Sequence, residues 1–139
     1  MILAAAVDDR MGLAFNHRRQ SRDGVLRRAL IKEAAGAPIW MSAYSLRQFK
    51  DDEAESADLR ACDNFLFAAA EGEFCFTETV SPSAAAERAE KIVLFRWNRS
   101  YPADIYFDID LSCGWVLAES EDLAGNSHEK ITKEVYLRE

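Results

Sequence analysis

The apolar run Ile2–Val7 ends abruptly in Asp8-Asp9-Arg10. A short continuous run closed by charge is the form of a strand buried on both faces in the middle of a sheet. From Asp23 the period changes. Val25, Leu26, Ala29, Leu30 and Ala34 recur at helical spacing, and Gly36 followed by Pro38 closes the helix. Pro38 to Met41 reads as a second strand. Ser42 opens a polar break, Ser45 caps a short helix through Phe49, and Lys50 to Ala57 reads as an acidic loop.

The rhythm repeats on a smaller scale. Leu59–Cys62 is a short strand, Asn64–Ala70 a short helix, and Gly72 the turn before a strand over Glu73–Thr79. Ser81 caps a helix that has Pro82 at its first position and ends near Ala89, and Lys91–Trp97 follows as a strand. Pro102 interrupts, extended structure resumes at Tyr106–Ile109, and a Cys113-Gly114 turn leads to a strand at Trp115–Ala118. A loop over Asp122–Ser127 precedes a final strand, Glu129–Leu137. Strands separated by helices predict an α/β fold: one domain over residues 1–139, with a mostly parallel central sheet, flanking helices and a closing antiparallel hairpin.

Composition agrees with one domain. At 139 residues, 49% hydrophobic and 29% charged, the chain has the apolar content of an ordinary globular unit. Its apolar runs fall far short of the roughly 18 residues of a membrane span, so no membrane partner is expected. The first residues lack the basic start and small-residue cleavage site of a signal peptide. Cys62, Cys75 and Cys113 are an odd number without CxxC spacing, which suits reduced thiols and a cytoplasmic location.

Charge changes the picture more. Between Arg10 and Arg28 stand six arginines (10, 18, 19, 22, 27 and 28) and one acid, Asp23. That stretch carries +5 and, against a total of −7, the remainder carries −12. A local cationic field on an acidic body attracts an anionic ligand or a nucleic-acid backbone. The plain alternative places Arg27 and Arg28 on the solvent face of the helix and pairs Arg18 to Arg22 with nearby carboxylates.

The order of motifs resembles the dihydrofolate reductase fold. The residues that carry the resemblance are the strand ending in Val7-Asp8-Asp9-Arg10-Met11-Gly12, then Ile39-Trp40-Met41 leading into Ser42-Ala43-Tyr44-Ser45-Leu46. Lys91-Ile92-Val93-Leu94, Tyr106-Phe107, Trp115 and Asn126-Ser127-His128 continue it. The resemblance implies hydride transfer from a nicotinamide cofactor, but the residues depart from that chemistry. The family's Gly-Gly pair, where backbone approaches the cofactor, is replaced by Phe76-Thr77-Glu78-Thr79. The family's substrate-orienting Thr corresponds to Ile105, and its first-helix acid has a counterpart only in Asp23. No GxGxxG supplies another dinucleotide loop. No cofactor is therefore expected. The stretches Asn16 to Ser21 and Ser127 to Thr132 also resemble short clostridial proteins labelled ribonuclease Z. That label implies a zinc hydrolase with clustered histidines, whereas this chain has only His17 and His128, so no metal site is expected.

In open α/β sheets ligands gather beyond the carboxyl ends of parallel strands. The residues at those ends are Asp8 and Asp9, Tyr44 and Ser45, Asp63, Glu78, and Asn98 and Arg99. In the resembling family, the loop that here carries Asn16, Arg18, Arg19, Arg22 and Asp23 crosses the same rim. Two functions follow. One is a non-redox module that holds an anionic small molecule, nucleotide or nucleic-acid segment, since arginine grips phosphate with two hydrogen bonds. The other is a hydrolase or transferase, phosphodiester-directed, that uses Asp8, Asp9 or Glu78 as acid–base groups. The acidic 50–57 stretch and the closing hairpin leave protein docking as a third. For single residues the plain readings are that Asp8-Asp9 forms a strand-ending turn, that Ser45 caps a helix, and that His128 packs against the hairpin.

Overall fold

Every residue from Ile2 to Val7 in β1 is buried. The strand lies between β6 (Phe74–Thr77) and β7 (Lys91–Arg96), parallel to both. Its side chains alternate between two cores. Leu3, Ala5 and Val7 pack with Cys75, Ile92 and Leu94 on one face, while Ile2, Ala4 and Ala6 pack with Phe74, Phe76 and Val93 on the other. A strand with both faces covered has no polar side to show, which is why the run is apolar throughout.

The computed structural model describes all residues, 1–139. Outward from β6 lie β4 (Ile39–Met41) and β5 (Leu59–Ala61), both parallel. Beyond β7 lie β10 (Ile131–Arg138) and β9 (Trp115–Leu123), paired antiparallel. The chain is thus mixed α/β, with a mostly parallel seven-stranded sheet, order β5-β4-β6-β1-β7-β10-β9, closed by an antiparallel pair. Helix α1 (Gly24–Ala34) covers one face through Leu26, Leu30 and Ala34. The opposite face is covered by Phe65 and Leu66 of α4 (Phe65–Ala68), by Ala85 and Ala89 and by Phe107. No helix is long and apolar enough to cross a membrane. The three cysteines are unpaired, and burial pushes the Cys75 thiol up to about 12.

Several expectations are corrected. Residues 12–19 form a hairpin of β2 (Gly12–Phe15) and β3 (Arg18–Arg19), which β8 (Ile105–Tyr106) extends into a second, three-stranded sheet. Its two-residue turn, Asn16-His17, has both residues at positive φ (51° and 63°), a conformation asparagine tolerates well. The cap of α2 (Ala43–Leu46) is Ser42, not Ser45: the Ser42 hydroxyl accepts the Ser45 N–H at 3.1 Å. The acidic 50–57 stretch is not all loop. Asp51–Glu55 forms α3, because three acids in a first turn complement the helix dipole and Glu53 accepts the Lys50 N–H at 2.9 Å. Residues Ser83–Arg88 are a 3-10 helix rather than an α-helix capped by Ser81, and β9 runs five residues past Ala118.

Arg27 is also corrected. It is not on the solvent face but 6% exposed, with its Nε donating to Glu53 Oε1 at 2.8 Å. It shares the buried stripe of α1 with Leu30 and Ala34, three and seven residues on. Arg28, exposed, stands 3.7 Å from the other Glu53 oxygen. Removing one partner of a buried pair strands the other charge. Glu53→Ala is expected to cost about 3 kcal/mol in urea unfolding, and Arg27→Met with Glu53→Leu to recover most of it.

Candidate functional site

The parallel strands deliver their following residues to one rim, and β2–β3 with residues 20–23 folds across it. Asp8, 1% exposed, is the fixed point beneath. Its Oδ1 accepts the N–H groups of Gly12 (2.7 Å) and Arg10 (2.9 Å), and its Oδ2 those of Tyr101 (3.0 Å) and the Gln20 amide (3.3 Å). Burial pushes this carboxyl up, but the Tyr101, Gly12, Arg10 and Gln20 donors together outweigh it and hold it below the ordinary range. Gly12 is required by space, since a Cβ would lie 2.6 Å from Ala103 Cβ and 2.7 Å from Gln20 Nε2.

Above the ends of β4 and β6, Arg19, Tyr44 and Glu78 meet. Arg19 Nε donates to Glu78 Oε2 at 3.1 Å, its Nη2 to the Tyr44 carbonyl at 3.2 Å, and its guanidinium lies 4.2 Å from the Tyr44 ring centre. The Tyr44 hydroxyl accepts the Arg19 N–H at 3.1 Å, and Gln48 donates to Glu78 at 2.8 Å. Cation and carboxylate do meet over the rim here, as a satisfied internal pair.

Asp23, 3% exposed, caps α1 through the Val25 N–H at 2.8 Å. Its other oxygen accepts the Ser127 N–H (2.6 Å) and hydroxyl (2.7 Å). Burial pushes Asp23 up, and the Ser127, Val25 and Asn126 donors more than offset this, so its carboxyl too lies below the ordinary range. Ser127 Oγ is 2.7 Å from His128 Nδ1, and His128 Nε2 is 2.6 Å from the Tyr101 hydroxyl. Trp97 stacks on the imidazole, with centres 4.7 Å apart. Burial and the nearby Arg99 charge push His128 below its ordinary value against the pull of Asp23. Gly125 lets this loop close, because a Cβ there would lie 2.9 Å from Asp23 Oδ2.

A cavity of about 260 Å³ opens beside the amino end of α1, lined by Arg22, Asp23, Gly24, Arg27, Gln48 and Lys50, with no apolar residue. Arg22 and Lys50 have no ion-pair partner, and Arg27 keeps both Nη groups free of protein acceptors after its Nε serves Glu53. Of the sequence-predicted residues, Arg22 and Asp23 gather here, while Arg19, Tyr44 and Glu78 form the neighbouring cluster. Ser45 is buried beneath Ser42. Asn98, at φ 59°, pins the end of β7 to β10 by donating to the Lys130 carbonyl (3.1 Å) and Thr132 (2.9 Å). Asp9, Asn16, Arg18 and Arg99 are exposed. Gln48, Lys50 and Tyr101 are residues sequence reasoning passed over, while Arg27 was placed on the solvent face and Ser127 and His128 entered only through the family resemblance and as packing. For Arg27 the helical period held the signal; for the others nothing local did.

No group of three or more His, Cys, Asp or Glu side chains is arranged to hold a metal ion. Neither a family model nor a curated protein matches the chain.

Asp8 titrates near 3.8 when unfolded and lower in the fold, so its contribution is fully present above that value and is lost as pH falls through the folded one. Asp8→Asn is expected to lose about 1–3 kcal/mol at neutral pH. Below about pH 4 its urea-unfolding free energy should fall less steeply with acid than that of the parent protein.

Proposed function

We propose that this chain is a non-redox binding domain of dihydrofolate-reductase-like fold. It grips the phosphate group of an anionic small molecule or nucleotide at the carboxyl edge of its sheet. The observation that carries this reading is the cavity lined by Arg22, Arg27, Gln48 and Lys50. Two of its cations are unpaired, and the third is held by Glu53 with its fork open. The first turn of α1 adds amide N–H groups and the positive end of the helix dipole. Asp23 keeps its negative charge in this lining, but its oxygens are turned to Val25 and Ser127, and the three cations outnumber it.

The family resemblance draws support from the parallel strands around β1, the helix on one face and the antiparallel closing pair. A nicotinamide dinucleotide, which the resemblance would imply, does not fit these residues. Thr77 and Glu78 bring side chains to the end of β6, and Glu78 is fixed there by Arg19 and Gln48. A carboxylate in that position repels a pyrophosphate. The chain's own chemistry is therefore to bind and orient an anion, with no hydride step. Acid–base work by Asp8, Asp9 and Glu78 draws little support, because Asp8 is saturated by donors, Glu78 is ion-paired, and no two of the three share a hydrogen-bond partner. A nucleic-acid segment fits less well than a single phosphate group, since the acidic remainder of the chain repels a polyanion.

Titration calorimetry with inorganic phosphate, ADP and a short single-stranded RNA tests this. ADP is expected to bind, more weakly as salt rises. Arg22→Ala/Lys50→Ala is expected to weaken it roughly tenfold or more, since each charge-assisted hydrogen bond is worth about 1.5–3 kcal/mol, while the melting temperature stays unchanged. Failure of all three probes to bind, or equal affinity in the variant, overturns the reading.

A further inference from the structure

The hydrogen-bonded series Asp23–Ser127–His128–Tyr101 has a direction. Ser127 carries one hydroxyl proton, and the ionised Asp23 can only accept, so that proton points to Asp23 Oδ2 at 2.7 Å. Ser127 Oγ is then an acceptor toward the imidazole, which must bring its own proton on Nδ1 across 2.7 Å. With Nδ1 protonated and the ring neutral, Nε2 is bare and takes the Tyr101 O–H across 2.6 Å. The depressed His128 basicity keeps that neutral form at physiological pH. The ring cannot turn away, because Trp97 stacks on it.

A hydroxyl nucleophile held against a base whose orientation a third group fixes is the arrangement of covalent catalysis. The surroundings select the electrophile. Half-buried Tyr101 lines a cavity of about 390 Å³ with Arg10, Ser100 and Tyr106. On the other side of the dyad, His128 lines one of about 360 Å³ with Arg99 and Lys130. Arg10, Arg99 and Lys130 have no ion-pair partner, and these three cations outnumber the two carboxylates of the linings, Asp8 and Glu129.

We propose that Tyr101 is a nucleophile toward phosphodiesters, with His128 as its base and Ser127 and Asp23 as positioning residues. The Tyr101 oxygen bonds to phosphorus as its proton passes to His128 Nε2. The bond from phosphorus to the leaving oxygen breaks, and the leaving group takes that proton from the imidazolium. Water then attacks the phosphotyrosine diester and gives a proton to His128, which returns it to the departing phenolate. The net reaction is hydrolysis of one ester bond. The two sites share Asp23, but the reacting groups Tyr101 and His128 lie outside the lining of the Arg22 and Lys50 cavity, so Tyr101→Phe and Arg22→Ala/Lys50→Ala test the two readings separately.

The test is bis(4-nitrophenyl) phosphate with the full chain. Release of 4-nitrophenolate above the buffer rate, and a 4-nitrophenyl phosphoryl adduct mapped to Tyr101 by peptide mass spectrometry after acid quench, are expected. Tyr101→Phe should abolish both, and His128→Gln should slow release about 100-fold or more. Ser127→Ala should slow it while Ser127→Thr restores it, which a merely structural role would not produce. If Tyr101→Phe fails to fold by circular dichroism, the adduct position in the parent protein decides alone. No release above buffer, an adduct on another tyrosine instead, or full activity in a folded Tyr101→Phe overturns the proposal.

Discussion

Two buried carboxylates hold together the irregular segments that cross the carboxyl ends of the central strands. The central strands hydrogen-bond one another, but the segments that cross their carboxyl ends have few ladder partners of their own. Asp8 and Asp23 supply acceptors in their place. Asp8 ties the 10–12 turn, Gln20 and the backbone at Tyr101 to the end of β1. Asp23 ties the start of α1 to the loop before β10, a separation of 104 residues. Bonds to a charged acceptor are worth about twice neutral ones, so a few short contacts hold four chain segments in place. Gly12 and Gly125 both stand beside these carboxylates, where a Cβ would meet Ala103 and Gln20 in the first case and the His128 carbonyl and Ile131 in the second.

That constraint also separates what was legible in the sequence from what was not. The apolar run of β1, the helical stripe of α1 and the strands at Ile39–Met41 and Lys91–Arg96 are local signals, and the structure follows them within a residue or two. The hairpin at Asn16-His17 was missed because its strands are short, four residues of β2 and two arginines of β3, and their pairing with each other and with β8 is tertiary. Helix α3 was hidden by its charge: a run of acids reads as a solvated loop until its position at a helix start is known. The cap of α2 was placed three residues late, at Ser45 instead of Ser42, because a serine at either position can start a helix.

The arginine-rich stretch divides in the same manner. Its excess charge is visible in the composition, but the destination of each arginine is set by acids far along the chain. Arg27 is claimed by Glu53, 26 residues on, and Arg19 by Glu78, 59 residues on. Arg22, between them, has no such acid and keeps its charge for the cavity beside α1. Within one basic segment, then, some cations are spent on folding and others remain for binding. His128 behaves likewise. Its neighbour in sequence, Ser127, connects it to Asp23, and only the fold brings Tyr101 to its other nitrogen.

Strand β9 forms one border of the main sheet, and seven consecutive residues of it, Val116 to Asp122, are exposed. A border of that length is a ready template on which a second molecule could add a strand, and fibrils grow from such templates. Here Glu119, Glu121 and Asp122 lie along it. Charged side chains along a border strand are a common guard against such pairing.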